Sequence, residues 1–269
     1  LYARLTDMAR SDPQVYLEES IFWGRQMFEE LVGSRDVRPT FASLKAACEH
    51  ALQADPLLPQ ARGQLALGYS YVARWEQASG QDPQASAQLG TRLVAEELRL
   101  HPEDELLHII ASNLHMVSAM FRIEHGLDPQ EALTQSIASV KSCARLNPNL
   151  WVCRNDLIAG YLVLADYLAG HAGDPDPILE ATQQELKILS QFTEERAPIA
   201  AQWGSYYATA AEAARLRGLD PRPLLAQGLA TLRAQVQVQP HDGEVLEQLS
   251  ALLLAQIPWT LAMGGDVAA

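Results

Sequence analysis

Cysteine is scarce in this chain, with three in 269 residues, and aromatic residues make up only 7%. Cys48, Cys143 and Cys153 form an odd, sparse set, which excludes a disulfide framework as the organising device and reads as buried thiols in a reducing compartment. Cys143 and Cys153 flank an Asn147-Pro148 turn signal, and the sequence leaves their mutual geometry open. No run of 18 apolar residues occurs, so nothing reads as a bilayer span. Positive charge is also short: 20 Lys and Arg against 33 Asp and Glu give a formal charge of −13. That balance argues against a nucleic-acid backbone or an anionic membrane as the main partner. There is no signal-peptide pattern, and the chain opens on Leu1 in what reads as mid-helix, as if cut from a longer polypeptide.

What is present is a period. Asp-Pro occurs at Asp82-Pro83, Asp128-Pro129, Asp174-Pro175 and Asp220-Pro221, each 46 residues after the last. Pro56, Pro102, Pro148 and Pro240 keep the same interval, with Glu194 at the place of the missing proline. Two turn signals on one ruler mean one supersecondary unit stacked repeatedly, which is a repeat array. Each unit holds two helical stretches of about 16–22 residues without strand alternation. The first runs to Gly80, Gly126, Gly173 or Gly218, where glycine allows a left-handed stop before Asp-Pro starts the next helix. The first row is less regular, because Asp12-Pro13 stands out of register with the other Asp-Pro pairs.

The rows predict what each helix buries. Trp23, Tyr69, His115, Tyr161 and Tyr207 fall in one column, and Met27, Ala73, Ala119, Ala165 and Ala211 in another four residues on. In the second helix, Leu44, Gly90, Ser136, Thr182 and Gly228 are mostly small, followed by the apolar Cys48, Val94, Val140, Leu186 and Leu232. Large and small residues on alternating turns of one face suit helix-on-helix packing.

These columns resemble the tetratricopeptide (TPR) family. Its Leu-Gly pair three residues before Tyr is echoed by Trp203-Gly204 with Tyr207, by Leu65-Ala66 with Tyr69 and less closely by Leu157-Ile158 with Tyr161. The second-helix spacing is matched by Gly90, Val94, Glu97 and Pro102 and by Ser136, Val140, Cys143 and Pro148. The unit is longer than the usual one of about 34 residues. The phrase "GLDPRPLL" at 218–225 is similar to the C-terminal repeat regions of bacterial eukaryotic-type Ser/Thr protein kinases. No kinase motif accompanies it: there is no Gly-rich phosphate loop, no His-Arg-Asp and no Asp-Phe-Gly.

The resemblance implies an all-α, right-handed α-α superhelix (a TPR-like solenoid) of five to six helix hairpins. It would span 1–257 as a single solenoid, with repeat boundaries near 36, 82, 128, 174 and 220 and a C-terminal tail at 258–269. It also implies that the first helices line a concave groove, with Gln64, Tyr71, Ile109, Asn113, Met116, Asn155, Asp156, Leu162, Gln202 and Ser205 as groove positions. Amides among apolar residues suit a peptide or protein segment, apolar contacts giving affinity and amides fixing orientation. The other reading is that these residues are only the exposed face of a solenoid. Asn113 and Asn155 sit at carboxylate-clamp-like positions without an accompanying Lys, which argues against capture of a C-terminal carboxylate.

Two further patterns have structural readings. Arg99, Lys141, Arg145, Lys187 and Arg233 lie late in the second helices, where cations oppose the helix dipole; a site for an acidic or phosphorylated partner is the alternative. His108 and His115 are seven residues apart, about 10.5 Å along a helix, too far for one metal. His101 adds no ligand set, so neither a metal nor a cofactor is expected. No Ser-His-Asp or Cys-His arrangement can be placed, and the chain reads as non-catalytic.

The expected function is a protein-protein interaction module, a regulatory or docking region of a larger bacterial signalling protein such as a Ser/Thr kinase. A self-association element using the "LSALLLAQ" helix at 249–256 is the alternative, and an enzyme with a groove site a further one. The expected partner is a protein or peptide, with no nucleic acid and no membrane insertion. The expected location is cytoplasmic, an extracytoplasmic segment of a membrane-bound parent being the other option.

Overall fold

The structure, a computed structural model, describes residues 12–192 and 199–262. Within them the chain is all-helical. First helices are α1 (Pro13–Val32), α3 (Pro59–Ala78), α5 (Glu105–Glu124), α7 (Trp151–Gly170), α9 (Ile199–Leu216) and α11 (Gly243–Ala262). Second helices are α2 (Arg38–Ala54), α4 (Gln84–Leu100), α6 (Gln130–Leu146), α8 (Asp176–Leu189) and α10 (Arg222–Val238). Five complete hairpins and one further first helix are thus described. The expected start at Leu1, Glu194 and residues 263–269 of the expected tail lie outside the described residues.

The Asp-Pro signal works as a helix starter through its carboxylate. Oδ1 of Asp82, Asp128, Asp174 and Asp220 accepts the backbone N–H two residues on, at 2.8–3.1 Å, where the new helix has no carbonyl to offer. Asp36 does the same for Arg38 at 3.0 Å although Val37 replaces the proline. Proline follows Asp without cost because the N–H it lacks would be unpaired there. Asp12-Pro13 belongs to the other class. It starts a first helix, at the place held by Leu58-Pro59 and Asp104-Glu105, so the first hairpin is in register after all.

First helices α1, α3, α5, α7 and α9 end in a left-handed residue. Gly80, Gly126 and Gly218 have φ of 69°, 65° and 74°, and Ser34 and Ala172 hold the same place at 53° and 57°. The glycine expected at 173 is therefore displaced by one. Its role is different: a Cβ on Gly173 would stand 2.7 Å from Leu168 Cδ2. In every case the next N–H reaches back to close the last turn, as from Gln81 to Glu76 and from Gly173 to Leu168.

The chain forms two compact units, Leu1–Pro148 and Asn149–Ala269. In the first unit α1, α3 and α5 pack side by side, and each second helix packs on its own first helix; α2 and α4 also pack on the next. In the second unit α7, α9 and α11 form the same kind of layer, with α8 and α10 behind it. The predicted columns are core: Cys48, Val94, Val140, Leu186 and Leu232, and likewise Met27, Ala73, Ala119, Ala165 and Ala211, are buried. The small column is needed for close approach. A Cβ on Gly90 would meet Leu114 Cδ2 at 2.8 Å, and one on Gly228 would meet Leu252 Cδ1 at 2.7 Å. Ser136 spends its hydroxyl on Ser112 Oγ, 2.8 Å away.

Three features depart from expectation. Cys143 and Cys153 are buried and disulfide-bonded, which leaves Cys48 as the free thiol. Burial pushes the Cys48 thiol up to about 12, against a hydrogen bond from Ser20 that lowers it, so it stays protonated and inert. Helix α11 runs through Pro258 to Ala262, beyond the expected boundary at 257. And α5 is long and apolar enough to cross a membrane by length and composition. Its apolar surface is used in packing: it lies against α3, α4 and α6 with Ile110 and Leu114 fully buried.

Candidate functional site

Each unit presents one face of its first-helix layer. In the first unit this face carries Gln64 and Tyr71 from α3 and Ile109, Asn113 and Met116 from α5, all half-buried. In the second it carries Asn155 and Asp156 from α7 and Gln202 and Ser205 from α9, also half-buried. Leu162 is an exception. It is 8% exposed within a core cluster of Ile158, Leu186 and Tyr206, so it packs the hairpin and offers nothing to a ligand.

Several of these polar groups already have work. Gln202 Nε2 donates to Asn155 Oδ1 at 3.0 Å, tying α9 to α7 across the layer. Ser205 Oγ donates back to the Ala201 carbonyl at 3.1 Å. Tyr71 lies against the α1 core, with its ring centroid 6.2 Å from that of Phe28, and burial raises its phenol above the usual range despite Arg74 nearby. Gln64 has a different setting. It lines a cavity of about 610 Å³ between the starts of α3 and α5, together with Gln60, Leu106 and Leu107 and closed by His101 and Pro102 from the intervening turn. Leu100 and Leu106, 60% and 47% exposed, form its apolar rim, and Glu103 and Asp104 its acidic edge.

Sequence reading missed the far end of this face. Phe28 of α1 is 51% exposed and Arg74 of α3 is exposed, one turn beyond Tyr71. At the corresponding place in the second unit stand Asp166 and Glu212. Desolvation against the helix layer, with Glu212 adding to it, raises the Asp166 carboxyl, while the Arg215 hydrogen bond lowers that of Glu212. The groove positions were carried over from a shorter repeat, so the added turn had no counterpart from which to read them.

The basic stripe takes its structural reading in part: Arg99, Arg145 and Lys187 lie in the last turns of α4, α6 and α8, where they face the negative helix end. His108 Nε2 sits 3.0 Å from the Pro102 carbonyl oxygen, and His115 is packed in the aromatic column. Among the described residues no group of three His, Cys, Asp or Glu side chains stands close enough to hold a metal.

One departure from the family pattern is explained. Glu97 occupies the small-residue position of the second helix and is fully buried. Arg62 of α3 reaches it at 2.9 Å and also donates to the Pro56 carbonyl at 2.7 Å, so an ion pair fills the space a small residue would leave to its neighbour. Arg154 and Glu185 form a comparable pair at 2.6 Å between α7 and α8.

Paired helices at a fixed interval, left-handed stops and a layer of adjacent first helices are the geometry of one repeat class. A thermophilic TPR protein of Thermus thermophilus, TTC0263, superposes with a TM-score of 0.51 at 14% identity, covering 88% of this chain and 99% of that one. The fold is TPR-like. Human IFIT1, solved as a dimer with PPP-AAAA, gives a TM-score of 0.43 at 12% identity over 95% of this chain and 63% of that one. No protein-family model and no curated protein sequence matches the chain.

Proposed function

We propose that this TPR-like chain is a non-catalytic protein-interaction module, which holds a partner segment against the exposed face of its first helices. The observation that carries this reading is the layer of α1, α3 and α5, which leaves Asn113 and Met116 half-exposed beyond the Gln64 cavity and Phe28 and Arg74 exposed at the far end of the face. Such a surface is preformed, so binding orders only the partner, and apolar rims with a few amides suit an extended or helical segment. We place the module in a larger bacterial signalling protein, as a regulatory or docking region beside a Ser/Thr kinase; the "GLDPRPLL" phrase supports that setting. Disulfide-bonded Cys143 and Cys153 favour an extracytoplasmic location over the cytoplasmic one, because such bonds persist in oxidising compartments.

The test uses the native parent protein purified from its cells with and without Asn113→Arg. A copurifying protein that is lost on substitution, with the melting temperature unchanged, supports the reading. Undiminished retention contradicts it. The mass and N-terminal sequence of the same preparation test the kinase setting.

A further inference from the structure

A second cavity, of about 470 Å³, lies in the first unit between the N-terminal halves of α4 and α6, floored by the C-terminal half of α5. Its wall differs in chemistry from the same place one repeat earlier. One unit earlier, Phe41 and Tyr69 pack edge to face with centroids 4.8 Å apart, and Val72 and Glu76 follow on α3. In the corresponding places stand Ala87, His115, Ser118 and Arg122. On the cavity wall a phenol becomes an imidazole, an isopropyl group a hydroxyl and a carboxylate a guanidinium, while Ala87 is fully buried in the core beside Leu114. The cavity is lined almost entirely by polar side chains.

Those side chains are biased toward donors. Arg92 of α4 and Arg122 of α5 both line the cavity, and no ion pair of either is found among the described residues. Arg122 spends its Nε–H on the Asp128 carbonyl, which fixes the guanidinium at the cavity wall. Gln84 also lines it, and Gln84 Nε2 is buried without a hydrogen-bond partner. A buried amide donor left unpaired in a polar cavity is costly unless something accepts from it. Glu131 supplies the single carboxylate, opposite the arginines in charge.

We propose that this cavity binds a small polar molecule bearing a carboxylate or phosphate group, with Arg92 and Arg122 on the anion, the Gln84 amide as a further donor and Glu131 on a cationic or hydroxyl end. Guanidinium forks match both anions in geometry. The site is separate from the first-helix face, so it offers small-molecule input to a module whose other surface takes protein.

The test is an NMR titration of the whole chain at constant ionic strength, with inorganic phosphate in one arm and succinate in the other. Side-chain signals of Arg92, Arg122 and Gln84 are followed, with Arg38 and Arg222, each paired with an Asp at 2.7 Å, as internal controls. A saturable shift confined to the cavity in either arm, weakened about tenfold or more by Arg92→Gln with Arg122→Gln, is the expected result. The arm that saturates names the anion. His115→Tyr, which restores the ring of its column, should abolish the shift while the fold persists. No saturable shift in either arm, or shifts that survive these substitutions, would overturn the proposal.

Discussion

At the scale of single residues, the chain shows where a repeat tolerates exceptions and what they cost. Ala172 holds a left-handed φ that glycine adopts freely, so Ala172→Gly should raise stability by about 0.5–1.5 kcal/mol in chemical unfolding. The Arg62–Glu97 pair is asymmetric. Arg62→Ala leaves a fully buried carboxylate unpaired and should cost about 3–5 kcal/mol, whereas Glu97→Ala leaves an arginine that still bonds Pro56 and should cost clearly less. Equal losses would mean that the pair contributes only packing. His115 carries a pH signature: burial lowers its pKa from 6.5, with Glu131 pulling the other way and Arg92 and Arg122 also facing the cavity. The unfolded chain therefore takes up this proton first. The stability of neutral His115 is complete above about pH 6.5 and is lost as pH falls from there toward the folded value. His115→Tyr should gain relative to wild type on acidification from about pH 8 to about pH 5, read as a growing difference in melting temperature. The column that contains His115 was legible in the sequence because its neighbours are Tyr and Trp. The pairing of Glu97 was not, since Arg62 lies on another helix and no local spacing connects them.

At the scale of the element, the sequence was clearest where backbone chemistry leaves few choices. Asp-Pro marks every second-helix start from α4 onward, and at α2 the pair Asp36-Val37 uses the same carboxylate without the ring. Asp128→Ala should destabilise by about 0.5–2 kcal/mol through the unpaired N–H of Gln130. The small column was legible as a need for close approach, and Gly90→Val tests it. A Cβ at that position would stand 2.8 Å from Leu114 Cδ2 and 3.1 Å from Tyr69 Cβ. Overpacking there should cost about 1–3 kcal/mol. The same kind of reading failed at Asp12-Pro13, because one dipeptide can start either class of helix and only the packing partner tells which. It also began the C-terminal tail at 258, where α11 runs on through Pro258 to Ala262.

At the scale of the whole molecule, the repeat class was written in the period, while the candidate face was legible only where a shorter family unit supplied positions. Leu162, read as a groove position, belongs to the core, and Phe28, Arg74, Asp166 and Glu212 were missed on the added turn. Redox state was misread as well. After unfolding without reductant, alkylation should modify Cys48 alone; labelling of all three cysteines would restore the reducing reading. Self-association is the competing account of the exposed leucines of α11, where Leu254 is 66% exposed. Light scattering should report a monomer if those leucines serve no copy of the chain. The most direct measurement is photocrosslinking in native cells from benzoylphenylalanine at Met116 of this chain, with Arg99 on the second helix as control. The account predicts that Met116 captures a defined partner protein and Arg99 does not. Capture from Arg99 alone, or equal capture from both, would contradict it.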